Sequence, residues 1–136
     1  MSLRAFARSM LAGDRLTLAP NLGLMSSTEQ WSESVIYRDG SFQIQLVVLR
    51  PNVQVARHCH RRVESLDLAL CGSGHLYIGE RSQAFGAGMR GSLAANLVPI
   101  KRGVWHAGAS GPVGGSYLSF QQWDGEPGFI SEDWEC

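Results

Sequence analysis

The chain has 136 residues, 44% hydrophobic and 18% charged, and its twelve basic residues balance twelve acidic ones to a formal net charge of zero. That composition is globular rather than disordered, and it lacks the cationic surplus with which a protein neutralises nucleic-acid phosphates. A domain of this length buries roughly 70% of its unfolded surface, so a single domain stands without cross-links.

Leu3, Phe6, Met10 and Leu11 recur at helical spacing, which predicts a short amphipathic helix over 3–12, ended near Gly13. The same segment carries Arg4 and Arg8 with no acid before Asp14, a faint echo of a mitochondrial transit segment. It lacks the continuous apolar stretch of a signal peptide. Residues 13–34 show no sustained period and read as an irregular arm. A strand over 35–37, the Asp39-Gly40 turn and a strand over Phe42–Leu49 then predict a β-hairpin. Pro51-Asn52 marks the next turn. Short strands are expected over 53–60, 64–70, 75–78, 93–98, 104–107 and 116–123, separated by turns at 72–74, 99–103 and 111–115.

Sixteen glycines, thirteen of them between Gly72 and Gly128, suit that turn-rich pattern. It indicates an all-β fold, an antiparallel sandwich or barrel over 35–123, in a single domain with the 1–34 arm. The tail, 124–136, holds five acids and no base and is expected to pack on the barrel or extend from it. Apolar runs such as 46–49 are far too short to span a membrane. Three cysteines (Cys59, Cys71 and Cys136) form no spaced framework, which favours a reducing, cytoplasmic setting.

The segment richest in chemistry is His58-Cys59-His60-Arg61-Arg62-Val63-Glu64. Residues two apart on a strand face the same way, so His58 and His60 can reach one metal ion while Cys59 turns away as a small buried thiol. Arg61-Arg62 reads as a solvated turn. Glu64 shares its strand face with Leu66, Leu68 and Leu70, and a carboxylate on an all-leucine face needs a cationic partner. A divalent ion on His58 and His60 would supply one. On this reading the three leucines are interior and Ser65 and Asp67 face outward. His106 follows a proline and glycine turn and sits in apolar surroundings as a further ligand candidate. If a hairpin is centred near Val113, Phe120 lies across from His106 and Gln122 across from Val104, which makes both substrate-contact candidates. His75 is read as solvent-facing, and Trp105 as packed between sheets or at a subunit contact.

These two segments resemble the paired motifs of the cupin superfamily. His58-x-His60, three residues, Glu64 and seven residues to Gly72 match the first, which is His-x-His, three or four residues, Glu, and a later glycine. Pro99, Gly103 and His106 match the second approximately. Asn52 stands where the first motif usually opens with glycine, and Ser110 replaces a common asparagine. The resemblance implies a jelly-roll barrel with one divalent transition metal ion (Fe, Mn, Ni or Zn) on His58, His60, Glu64 and His106. Open positions on the ion would take a small oxygen-bearing molecule. It also implies a homodimer, with Trp31 and Trp134 as candidates for the contact. The function expected is a mononuclear metalloenzyme, a dioxygenase or an isomerase working by proton transfer, with Glu64 able to act as the base. The alternative is a non-catalytic binder of a metabolite or sugar.

Overall fold

The computed structural model describes residues 1–13, 24–86 and 93–134. Among them α1 (Leu3–Leu11) precedes eight strands. These are β1 (Met25–Ser27), β2 (Trp31–Asp39), β3 (Phe42–Leu49), β4 (Gln54–His58), β5 (Val63–Ile78), β6 (Arg81–Ala84), β7 (Val98–Ile100) and β8 (His106–Trp123). Every pairing is antiparallel and the sheet does not close on itself.

Two long strands, β5 and β8, run side by side from Val63 opposite Trp123 to Ile78 opposite His106 and belong to both leaves of a jelly roll. One leaf is β1-β2-β3, then 115–123 of β8, then 63–72 of β5, then β7. The other is β4, 106–110 of β8, 74–78 of β5, and β6. The segments 72–74 and 111–115, expected as turns, are therefore where continuous strands bend. No hairpin lies near Val113. Gly72 and Gly114 make the bend possible, with φ of 76° and 75°. A Cβ on Gly72 would strike the Gly114 carbonyl, and one on Gly114 would come within 2.6 Å of the Leu49 carbonyl.

The Asp39-Gly40 hairpin forms as expected, with Gly40 at φ 60°. Asn52 adopts φ 57°, the left-handed conformation that asparagine tolerates best after glycine, and so fills the glycine's place in the motif. Further local expectations fail, among them the turn expected from 99, where Val98–Ile100 form β7. Residues 93–96 form a 3₁₀ turn instead of a strand, and the stretch expected as an irregular arm contributes β1 and the start of β2. The rest of that stretch, 14–23, lies outside the described residues.

Helix α1 starts at Ser2, whose hydroxyl accepts a hydrogen bond from the Ala5 N–H at 3.1 Å. It buries Leu3, Phe6, Ala7 and Met10 against Tyr37, Ile44, Leu66, Leu68, Leu97 and Phe120. Phe6 stacks on Phe42 with ring centroids 4.7 Å apart. The larger apolar core thus sits between the helix and the outer face of the first leaf, and a smaller one of Ile78, Val98 and Ile100, with Leu76, Phe85 and Val104 against it, borders the space between the leaves.

Candidate metal centre

The space between the leaves is a cavity of about 90 Å³. At about 10–15 Å³ per water this is room for several waters or one small molecule. Its walls include Val47, Leu49, Val55, Leu76, Phe85 and Ile100, and its polar groups are His58, His60, His106, the exposed His75 at its edge, Glu33, Ser65, Asp67, Tyr117 and Ser131.

His58 ends β4, His60 follows it, and His106 opens β8 directly opposite His58 in the ladder. Their rings gather with centroids 4.2–4.9 Å apart, and one nitrogen from each lies within 4.8 Å of the others. Backbone carbonyls settle which nitrogen that is. The Nδ1–H of His58 donates to Ala56 O at 2.6 Å, that of His60 to Asp133 O at 2.7 Å, and that of His106 to Val104 O at 3.0 Å. Each Nε2 is left as a lone-pair donor, the tautomer a metal ligand needs. Burial holds His58 and His60 well below the usual imidazole range, at about 4, against the raising effect of those carbonyl bonds. It lowers His106 as well. All three are neutral at pH 7, with no proton to displace. Ligands on one ion at about 2.1 Å lie ~3.0–3.4 Å from one another, so small ring movements bring this set onto a metal.

Glu64 is not part of the group. Among the described residues only His58, His60 and His106 converge, and Glu64 is half-buried, pairs with Gln122 and does not line the cavity. The expectation failed because it took the leucine face of β5 to be the barrel interior. Leu66 and Leu68 are buried, but under α1; Leu70 is 44% exposed; Ser65 and Asp67, expected outside, are buried and line the cavity. The motif allows three or four residues before its carboxylate, and the fourth-residue position here is Ser65. Phe120 and Gln122 are corrected for the same reason. Phe120 opposes Leu66 and packs beneath the helix, Gln122 opposes Glu64, and neither lines the cavity.

Sequence reasoning missed Asp67. Its carboxyl is completely enclosed, Oδ1 has no hydrogen-bond partner, and burial pushes its pKa up to about 7 against the lowering effect of the Ser119 and Ser65 hydroxyls. Burial also raises Glu33, whose carboxylate accepts from the Ser131 N–H at 3.1 Å and hydroxyl at 2.6 Å. Tyr117 is raised well above 10 by burial and by the charges of Asp67 and Glu33. The signal available in the sequence was the period-two run of Ser65 and Asp67 on β5, which lies opposite Gln121 and Ser119 on β8.

The tail is no loose appendage. Residues 128–134 lie along the cavity mouth, where Trp134 stacks on His58 at 3.9 Å and 14° and meets Trp31 at 5.7 Å. The two tryptophans expected at a subunit contact thus meet within the chain. Trp105 is exposed beneath the Arg57 guanidinium, and His75 is exposed beside Tyr77. Cys59 is fully buried as alternation predicts, but it is disulfide-bonded and not a free thiol; Cys71 is free and exposed. That pairing could not be read from cysteine spacing alone.

The architecture is that of the cupins. Solved structures similar to this chain include KdgF from a Halomonas species (8% identity, 78% of this chain and 92% of that one, TM-score 0.63). A second is an RmlC-like cupin from Shewanella frigidimarina (12% identity, 73% and 81% covered, TM-score 0.60). A third is a conserved double-stranded β-helix protein from Klebsiella pneumoniae (18% identity, 76% and 80% covered, TM-score 0.58). At these identities the likeness is one of fold. No protein-family model and no curated protein matches the sequence. Among the described residues, no helix is long and apolar enough to cross a membrane.

Proposed function

We propose that this chain is a mononuclear divalent-metal enzyme that moves a proton on a small oxygen-bearing molecule. The observation carrying the metal is the convergence of three neutral imidazoles, each with Nδ1 committed to a carbonyl and Nε2 free. The donor set suits Fe, Mn, Ni or Zn, and His58, His60 and His106 would hold the ion. A bound ion supplies Lewis acidity to an oxygen of the substrate.

The chain's own proton-transfer group is Asp67, in place of the Glu64 expected from sequence. A carboxyl titrating near 7 is both acid and base at neutral pH; Asp67 lines the cavity, and its enclosed, unpartnered Oδ1 would reach a substrate proton by a small turn of the side chain. Tyr117 stays protonated and cannot serve as the base. The apolar walls exclude bulk water, which strengthens each polar contact inside. This favours isomerisation or proton transfer over oxygenation, for which no buried carboxyl is needed.

The test begins with metal content after purification without chelator. The loaded protein is then mixed in D₂O with a panel of small hydroxyketones and hydroxyacids, and proton exchange is followed by NMR. Exchange should require metal and fall at least 100-fold in Asp67→Asn with metal content unchanged. Dioxygen uptake with no exchange would point to oxygenation, and saturable binding with no turnover to a metabolite or sugar binder.

A further inference from the structure

Six residues from the C-terminal end of the chain are tied to the cavity mouth by polar contacts or ring stacking. Gln43 Nε2 donates to Gly128 O at 2.7 Å, and the Ile130 N–H donates to Gln45 Oε1 at 2.9 Å. Ser131 donates twice to Glu33. The Asp133 carboxylate accepts from the Arg62 N–H at 2.7 Å and the Val63 N–H at 3.2 Å, and Arg62 Nη2 reaches Glu126 O at 2.8 Å. These partners sit on β2, β3 and the turn joining His60 to β5, so the segment is anchored to the first leaf and to the ligand loop at once.

The three ligands differ in what orients them. His58 and His106 each use a carbonyl two residues upstream in their own segment, so those rings are set locally. His60 uses the carbonyl of Asp133, far away in sequence. Trp134 then covers the face of His58. We infer that the segment 128–134 is a working part of the metal centre, in which Asp133 positions His60 and Trp134 shields His58, so that it sets how tightly the ion is held and how fast it leaves. This rests on the metal reading above. Without the Asp133 carbonyl the His60 ring is free to turn and its Nδ1 proton has no acceptor, so the Nε2 lone pair is no longer fixed on the ion. Loss of such an orienting partner costs about 10–100-fold in metal affinity.

The probes are Zn(II), by chelator competition, and Co(II), by absorbance and by tryptophan quenching, on the full chain. Asp133→Ala keeps the carbonyl that orients His60 but removes the two anchors at the 62–63 backbone that hold it in place, and should weaken Zn(II) by about 10–100-fold and speed its release to chelator. Asp133→Asn keeps an oxygen acceptor and should recover most of that loss. Trp134→Ala leaves every hydrogen bond of the segment in place. It should speed release and abolish most of the Co(II) quenching, and it carries the test if Asp133→Ala fails to fold. Wild-type affinity and release in Asp133→Ala, or in Trp134→Ala where the first variant does not fold, overturns this inference alone. A full chain that binds neither ion overturns the metal reading and this inference together.

Discussion

On β5, Leu66 and Leu68 pack under α1, while Ser65 and Asp67, one residue out of phase, face the cavity. The neighbouring strands repeat the contrast: Ile44 and Phe120 lie on the helix side, and Gln43, Gln45, Ser119 and Gln121 are buried on the other. The outer face is a conventional apolar core, held by area and shape. The inner face is mixed: apolar walls such as Val47, Phe85 and Ile100 are joined by buried polar groups held in hydrogen bonds such as Gln43 to Gln121 at 3.0 Å and Gln121 to Gln45 at 2.8 Å. The hydrophobic face of a strand marks the side with the most apolar cover, and in this molecule a helix provides that cover from outside. What lies between the leaves is free to be chemistry.

The comparison can be broken first where it predicts the largest effect. Phe6→Ala removes a ring with no exposed surface and should cost about 3–5 kcal/mol by chemical denaturation. Metal affinity should not change; if it does, the faces are coupled and the division fails. Asp67→Asn should do the reverse. A carboxyl whose folded pKa is raised from 3.8 to about 7 keeps its full contribution below about pH 4, and loses it as pH rises through 7. The variant should therefore match the parent near pH 4 and gain up to about 4 kcal/mol at pH 8, the linkage limit for such a shift. A gain independent of pH would mean that Asp67 is not the titrating group.

The histidines run the other way. With folded values near 4 against an ordinary 6.5, the metal-free protein keeps their contribution above pH 6.5 and loses it as pH falls to 4. Thermal unfolding across that range should show a smaller acid loss in His60→Ala. Bound metal should lower the pH at which the loss begins. Smallest of all is Glu64→Gln. It should change metal affinity by less than a factor of two and stability by less than about 0.5 kcal/mol, as expected of a half-buried side chain outside the site. A large loss of metal affinity would return Glu64 to the ligand set.

The strand pattern, the Asp39-Gly40 hairpin and the helix at Leu3–Leu11 were legible because each rests on local periodicity or turn chemistry. So were His58, His60 and His106, through strand alternation and motif spacing. The side of β5 that faces inward was not legible. A period-two pattern gives two faces without saying which is covered by what, and choosing the leucine side misplaced Glu64, Phe120 and Gln122 together. Nor was the continuity of β5 and β8 through their glycines, since a glycine cluster signals a bend and a turn alike. The role of 128–134 depends on contacts distant in sequence, such as Asp133 with His60, which no local pattern carries.

The sharing of β5 and β8 by both leaves has a consequence for selectivity. Two leaves joined by a flexible connection could swing apart and admit guests of many sizes. Here Val63–Ile78 and His106–Trp123 pass from one leaf into the other, and opening the leaves would mean breaking that ladder in its middle. The walls therefore have a fixed spacing. On the proposed reading, a larger guest would meet that fixed spacing, and trimming side chains such as Phe85 or Leu76 would widen the cavity where parting the leaves would not.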